Sequence, residues 1–254
     1  MKRKLGIILT LLVLAIVAVS AWGISSIGAV SIDMMAPASP TADLVETNCG
    51  TGFNCGRIAY IEHRFGQPQY YRLWTRNTDG SNRTPVLSFG PSSGNYANGL
   101  IFSPDNSKLY FSASENGTFD KRIFSVNVDG TGLTRLTNSC LADPPSFSPN
   151  GTTLLFIANC GEFEGDQKVY LMNPDGSGMR RLTTHSIANS DVTSNGDKAA
   201  SFSPDGSQVV FSSQAGSTGT TTIYLSSFDG LNVVALTNYA DHGSTNRNPR
   251  FASN

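Results

Sequence analysis

The chain has 254 residues, which is enough for one large domain or two small ones. Only 15% of the residues are charged and the net charge is −1, a balance that favours β-structure with polar turns over helices laced with ion pairs. Because no basic tract follows the N-terminus, the chain lacks the phosphate-neutralising surface that nucleic acids need, and we exclude nucleic acid as its partner.

The first element in chain order is an export segment, residues 1–32, which opens with the basic sequence MKRK. About twenty apolar residues follow, and the basic flank is expected to stay in the cytoplasm. Two interpretations remain open. A cleaved signal peptide would use the small residues at 18–20 or 29–31, whereas an uncleaved transmembrane anchor is favoured by length. Both place the rest of the chain outside the cytoplasm, as a periplasmic, secreted or membrane-anchored protein.

A linker is predicted at residues 33–56, where Pro, Ala, Ser and Thr occur without clear periodicity. The chain has four cysteines, and an even number in an exported protein suggests disulfides. No pair has the C-x-x-C spacing of zinc or thioredoxin sites, so both kinds of site are excluded.

From residue 57 to residue 254 the chain repeats one unit of about 50 residues. In each unit an Asp-Gly pair follows a predicted strand. These pairs lie at 79–80, 129–130, 175–176 and 229–230. An aliphatic–aromatic pair precedes each Asp-Gly: Leu73-Trp74, Ile123-Phe124, Val169-Tyr170 and Ile223-Tyr224. Further upstream lie IAYI (58–61), LYFS (109–112), LLFI (154–157) and VVFS (209–212), and downstream lie PVL (85–87), TRLT (134–137), RRLT (180–183) and VALT (234–237).

A fourth strand is predicted within the phrases IFSPDN (101–106), SFSPNG (146–151) and SFSPDG (201–206). In S-P-D-G, proline presets the second position of a type I turn and glycine closes it. The Asp-Gly pairs suit a two-residue hairpin or the related bulged turn. Each unit therefore predicts four short strands separated by tight turns, and the repeated polar residues are explained as turn chemistry.

Four-stranded antiparallel units of this length, repeated along a chain, predict an all-β fold, a β-propeller. The order P-x-F-S-P-D-G, aliphatic–aromatic strand, I-Y…D-G and L-T resembles the TolB-like propeller repeat of bacterial extracytoplasmic proteins. The resemblance covers residues 57–254 and implies the propeller fold far more specifically than any function.

Four blades can be counted, and the first lacks its opening phrase. The chain ends on residues 249–254, PRFASN, which resemble that missing phrase. We therefore expect a ring closed by the C-terminal strand, with Phe251 pairing with the first blade. A larger ring assembled by two chains and an additional degenerate blade remain open alternatives.

In a propeller with this strand order, the loops after L-T and the loops within each blade lie on one face. Cys140 and Cys160 are both in such loops near one blade boundary, which predicts a disulfide between them. Cys49 and Cys55 are expected to pin the linker to the first blade, although another connectivity is not excluded.

The same face is expected to collect the three histidines, His63, His185 and His242, with Asp241 beside the last of them. These four residues are the candidate ligand-binding side chains, and solvated loop histidines are the simpler interpretation. Glu62 is placed in the same loops without an evident partner. No metal and no cofactor are predicted, because no spacing reproduces a known ligand motif.

The predicted function is a non-enzymatic scaffold at the cell envelope, binding a protein, a small ligand or a saccharide. Its recognition surface would be the loops at 89–99, 138–146, 185–199 and 238–249. The alternative is a metal-assisted polysaccharide lyase or hydrolase that uses the loop histidines. The G-x-S-x-G match at 90–94 is rejected as a nucleophile, since it lies in a Gly/Ser loop rather than between a strand and a helix.

Overall fold

A computed structural model describes residues 56–64, 70–89, 97–114, 121–138, 141–160, 167–183, 196–214, 221–237 and 248–252. Contacts divide the chain into residues 1–31 and 32–254, and every described residue belongs to the second unit. Within these ranges all regular structure is β-strand, and no helix occurs that could cross a membrane. The predicted export segment, the linker to residue 55 and the pair Cys49 and Cys55 lie outside them.

The strands form four antiparallel sheets in chain order. Sheet one has the order β1 (Arg57–Arg64), β2 (Tyr70–Asn77) and β3 (Thr84–Phe89). Sheet two has the order β4 (Ala97–Phe102), β5 (Lys108–Ser114), β6 (Lys121–Asn127) and β7 (Thr134–Arg135).

Sheets three and four repeat this plan further along the chain. In sheet three, β8 (Leu141–Ala142) and β9 (Ser146–Phe147) both pair with β10 (Leu154–Asn159), followed by β11 (Lys168–Met172) and β12 (Arg180–Arg181). In sheet four, the order is β13 (Gly196–Phe202), β14 (Gln208–Gln214), β15 (Thr221–Ser227) and β16 (Val233–Ala235).

The structure confirms the all-β, antiparallel prediction but does not show ring closure. Sheet one has three strands in the described part of the chain, as its missing opening phrase predicted. Residues 248–252 contain no strand, and Arg250 Nη1 instead donates to the Ala200 carbonyl of β13 at 3.2 Å. The four-bladed ring closed by Phe251 therefore stays a prediction.

The S-P-D-G phrases form the predicted turns. The Gly206 amide donates to the Ser203 carbonyl at 2.9 Å, and the Asn106 amide donates to Ser103 in the same way. The Ser203 hydroxyl donates to Asp205 Oδ1 at 2.6 Å, and this hydrogen bond is the main cause that lowers the pKa of Asp205 to about 2. The polar groups of the S-P-D-G motif therefore form hydrogen bonds with one another within the turn.

In sheets one to three the Asp-Gly pairs form the bulged turn, one of the two predicted forms, whereas in sheet four the Ser227 amide donates to the Asn232 carbonyl at 2.9 Å. In sheet two the Gly130 amide donates to the Asn127 carbonyl at 2.8 Å, and the Asn127 amide donates to Thr131 at 2.9 Å. Asp129 accepts from the Thr131 hydroxyl at 2.7 Å, which lowers the pKa of Asp129. The glycine holds the positive φ of +86° that this turn requires.

The core consists of three apolar layers, each between two successive sheets. Since side chains alternate along a strand, each inner sheet contributes to two layers. In β10, Leu154 and Phe156 pack toward sheet two, whereas Leu155 and Ile157 pack toward sheet four. The four strands of a repeat therefore cannot bury their own apolar residues without both neighbours.

The threonines of the L-T columns complete the backbone hydrogen bonding of the sheets. The hydroxyls of Thr137, Thr183 and Thr237 accept from backbone amides 14 residues upstream at 3.0, 3.1 and 2.9 Å. These amides begin the aliphatic–aromatic pairs Ile123, Val169 and Ile223. The L-T motif is thus a structural feature, which is why it recurs.

The start of β13 allows a direct test of sheet packing. A Cβ at Gly196 (φ +65°) would overlap the backbone of Gln167, within 2.5 Å of its amide nitrogen, whereas a Cβ at Gly206 (φ +73°) would meet nothing closer than 3.4 Å. We expect Gly196→Ala to lower the free energy of unfolding by about 3 kcal/mol or more, because strain and overlap add. The matched control Gly206→Ala should cost only about 1–2 kcal/mol. Chemical denaturation measures both, and equal losses would contradict the close approach.

Candidate functional site

A cleft of about 350 Å³ lies where the first strands of sheets three and four approach each other. Its apolar walls include Pro144, Pro145 and Ile157, and residues 248 and 250 lie along it. Three of the four predicted recognition loops contribute residues, namely those at 138–146, 185–199 and 238–249. The structure thus brings together segments that are about 100 residues apart in the sequence.

Local sequence explains why the cleft is open. The Asp143 amide continues the ladder by donating to the Ile157 carbonyl at 2.8 Å. Pro144 and Pro145 follow, and because proline has no amide hydrogen the pairing stops between β8 and β9. A Cβ at Gly99 would overlap the Pro144 ring, so glycine at that position lets sheet two approach this wall.

Three charged side chains line the cleft: Asp143, Lys198 and Arg250. Asp143 is already paired, since Lys121 Nζ lies 3.2 Å from its Oδ1. Lys198 Nζ donates to the Gln167 side chain at 3.3 Å, and Arg250 Nη1 donates to the Ala200 carbonyl at 3.2 Å. The lining thus has two cations and one carboxylate beside apolar walls.

A buried carboxylate, Asp197, stands next to Lys198 at the start of β13 and is 2% exposed. Its Oδ2 accepts from the Val169 amide at 3.0 Å and from the Thr183 hydroxyl at 2.6 Å, which joins sheets three and four. Burial raises the pKa of Asp197, although the hydrogen bond from Thr183 acts in the opposite direction.

Sequence reasoning missed Asp197, and one signal could have found it. Four residues before the S-F-S or I-F-S phrase, sheets two and three carry Ala97 and Ala142, both buried. A carboxylate at the same place in sheet four departs from the repeat. The departure is visible in the printed sequence, whereas the partners of the carboxylate are not.

The structure corrects the prediction that His63 lies in a loop. Strand β1 extends to Arg64 because it pairs with β2, and His63 lies opposite Tyr71 within the sheet. The two rings stack with centroids 4.2 Å apart and an interplanar angle of 6°. The other three candidates, His185, Asp241 and His242, lie outside the described residues, so a shared ligand site remains a prediction.

Glu62 is also in β1, and the prediction that it lacks a partner is wrong. Its Oε2 accepts from the Trp74 indole nitrogen at 2.9 Å, and its Oε1 lies 3.2 Å from Arg83 Nη2. Arg83 also donates to the Tyr60 hydroxyl at 2.8 Å and covers the Trp74 ring at 3.7 Å from its centroid. This network lies on the face of sheet one that does not contribute to the apolar layer with sheet two.

Cys160 is disulfide-bonded. Cys140 lies outside the described residues, so the pairing of Cys140 with Cys160 stays a prediction, as does that of Cys49 with Cys55. Among the residues that the structure describes, no three His, Cys, Asp or Glu side chains are grouped so that they could hold a metal ion.

Comparison with known proteins identifies the fold. No family model matches the sequence, and no curated protein matches it. Among solved structures, TolB from Acinetobacter baumannii matches with 27% identity and a TM-score of 0.53, over 76% of this chain and 43% of TolB. The chain has a TolB-like propeller fold.

Two further structures share this TolB-like fold at lower identity. An oligogalacturonate lyase in complex with manganese has 16% identity and a TM-score of 0.54, over 72% of this chain and 50% of the lyase. A puromycin hydrolase S511A mutant has 14% identity and a TM-score of 0.52, over 71% of this chain and 30% of the hydrolase. The chain thus spans half or less of each of these proteins, and the last two likenesses show the fold alone.

The buried carboxylate predicts a pH dependence. A raised pKa means that the folded state holds its proton more tightly than the unfolded state, so ionisation costs stability as pH rises above the ordinary value of 3.8. Asp197→Asn does not ionise. Relative to the wild type, its free energy of unfolding should therefore increase between pH 4 and pH 7, by at most about 1.4 kcal/mol per pH unit.

Asp205→Asn is the matched control, because the turn of sheet three carries Asn150 at that position. The pKa of Asp205 is lowered to about 2, so its contribution is present above the ordinary value and disappears as pH falls from 3.8 to 2. Thermal melts across pH measure both variants. If the Asp197→Asn difference is constant from pH 4 to pH 7, the buried carboxylate does not have the raised pKa.

Proposed function

We propose that this chain is an extracytoplasmic propeller scaffold whose cleft between sheets three and four binds an acidic segment of a partner protein. The observation that carries the proposal is that two cations, Lys198 and Arg250, line the cleft beside apolar walls. Carboxylates are favourable partners for such cations, and the proline-lined walls would hold the apolar residues between them.

The location outside the cytoplasm rests on two observations. The basic and apolar residues 1–32 have the pattern of a signal peptide or membrane anchor. The TolB-like repeat is typical of bacterial extracytoplasmic proteins, and the structure bears out that repeat. An envelope protein is therefore the expected partner.

The four sheets act as four blades in this proposal, closed by residues 249–254 against sheet one. Two exposed apolar side chains support this closure, because both lie where a closing contact would form. Leu236 is 55% exposed, whereas its equivalent in sheet three, Leu182, is 1% exposed. On sheet one, Ile58 is 47% exposed, whereas its equivalent Leu109 is fully buried.

The alternative function, a metal-assisted polysaccharide lyase or hydrolase, is favoured by the fold shared with the oligogalacturonate lyase in complex with manganese. It would need His63 to act with His185, His242 and Asp241. His63 lies in strand β1 with its ring stacked on Tyr71 rather than in a loop, which weighs against its use as a ligand. The scaffold is the better supported of the two functions.

Binding of short ligands by the full chain tests the cleft. A synthetic peptide with glutamates between apolar residues should bind saturably, and Lys198→Ala or Arg250→Ala should each weaken binding by about tenfold or more, the value of one charge-assisted hydrogen bond. Arg181→Ala is the control, since Arg181 is exposed on β12 and does not line the cleft. Calorimetric titration gives the affinities.

Three outcomes of that titration contradict the proposal. They are no saturable binding of the peptide, equal binding by wild type and both cleft variants, and binding of trigalacturonate without binding of the peptide. The last outcome, together with stoichiometric metal in the purified protein, would favour the lyase alternative.

A further inference from the structure

Strand β13 forms one edge of sheet four and has backbone groups that the sheet itself does not use. The Ser203 amide, just after β13, donates to the Gln208 carbonyl at 2.9 Å, so this opposed pair is hydrogen-bonded. Along an antiparallel ladder, hydrogen-bonded and non-hydrogen-bonded pairs alternate. Ala200, which lies opposite Phe211, therefore belongs to a non-hydrogen-bonded pair, and its amide and carbonyl point away from β14.

A contact from outside the sheet agrees with this orientation. Arg250 Nη1 donates to the Ala200 carbonyl at 3.2 Å. Residues 248–252 contain no strand, so this contact is made by a side chain and adds no strand to the sheet. Within the described part of the chain, the Ala200 amide makes no hydrogen bond outside the ladder. Ala200 also lines the cleft, so its free backbone groups lie at the proposed binding site.

The equivalent edge of sheet three is closed by proline. Counted from the S-F-S phrase, Pro144 and Pro145 occupy the positions of Ala199 and Ala200. Proline has no amide hydrogen, and prolines on an edge strand prevent the addition of another strand. The two walls of the cleft therefore differ, because the edge of sheet four can accept a further strand and that of sheet three cannot.

The packing of the sheets also leaves space beside this edge. Between sheets two and three, the Pro144 ring lies over Gly99, where an added Cβ would be 2.1 Å from it. Between sheets three and four, the residue in the position of Pro144 is Ala199, which is smaller and lines the cleft. The first junction is thus filled by a ring, whereas the second keeps an opening next to the free backbone groups of Ala200.

We propose that the acidic segment of the partner protein binds to the edge of β13 as an additional extended strand, the mode called β-augmentation. This inference rests on the proposed function, since it specifies how that segment is held in the cleft. One residue of the segment would accept a hydrogen bond from the Ala200 amide and donate one to the Ala200 carbonyl. Because Arg250 is exposed and already contacts this carbonyl, its guanidinium is placed beside the added strand, where it can pair with a carboxylate.

The geometry of an added strand also determines the sequence that the site selects. Residues directly opposite each other share one face of a sheet, and Ala200 packs against the apolar layer between sheets three and four. The segment residue opposite Ala200 would therefore face sheet three, whose wall in the cleft is Pro144 and Pro145, and it should be apolar. Its two neighbours would point away from this wall and carry the carboxylates. The site thus selects an extended chain of alternating apolar and acidic residues.

N-methylation of the glutamate-containing peptide, one position at a time, tests the pairing with the unaltered full-length chain. The methyl group removes a backbone donor, and in a strand only every second residue directs its donor to the same neighbour. N-methylation of the apolar residue opposite Ala200 should therefore raise the dissociation constant about tenfold or more. The same change at the glutamate on either side should alter it by less than about threefold. Calorimetric titration measures the series.

Ala200→Pro is the corresponding change in the protein. It gives sheet four the residue that sheet three carries at position 145, and it removes no hydrogen bond of the ladder, so the melting temperature should stay close to that of the wild type. The unmodified peptide should bind this variant about tenfold or more weakly. Ala200→Ser is the matched control, because it keeps the amide and a small side chain, and it should leave the dissociation constant unchanged.

Failure of this inference is distinguishable from failure of the proposed function. Binding that depends on Lys198 and Arg250 but does not alternate along the N-methyl series would overturn strand addition and leave the acidic ligand in place. Unchanged affinity in Ala200→Pro, or tighter binding of a peptide locked as a helix, would overturn it as well. If Ala200→Pro does not fold, the N-methyl series alone decides. If the peptide does not bind saturably, the proposed function fails and this inference fails with it.

Discussion

Leu154 and Phe156 pack toward sheet two, while Leu155 and Ile157 of the same strand pack toward sheet four. This alternation is the constraint on which the rest of the structure depends. Because each inner sheet is apolar on both faces, one repeat alone would expose a face that only a neighbour can cover. The repeated turns, the L-T threonines and the close approaches at Gly99 and Gly196 all serve this stacking.

Stacking also determines where function can reside. The polar side chains of the turns form hydrogen bonds within the turns, as those of Asp205 show. The faces of the inner sheets are buried in the apolar layers. What remains are the places where the repeat is broken. The proline pair at 144–145 opens the cleft, Asp197 replaces a buried alanine, and Leu231 replaces a turn hydroxyl. The proposed binding site lies at such departures.

The sequence was sufficient to predict the strands, the turns and the TolB-like fold, because these depend on local chemistry that recurs in each unit. The contacts of individual side chains could not be predicted in the same way. Glu62 meets Arg83, Asp197 meets Val169, and Arg250 meets Ala200, over separations of 21, 28 and 50 residues. Such contacts depend on strand register and on how closely neighbouring sheets approach each other. His63 was misplaced for a related reason, since pairing with β2 extends β1 beyond its apolar residues.

Hydrogen exchange of a Leu154→Ala variant tests the dependence on stacking most directly. Leu154 is fully buried in the layer between sheets two and three, and removing its side chain should cost about 2–5 kcal/mol. If both faces of a sheet rely on their neighbours, amide exchange will accelerate in β5 and β6 of sheet two as well as in β10 and β11. Acceleration confined to sheet three would show that the sheets are stable independently, and it would contradict this account.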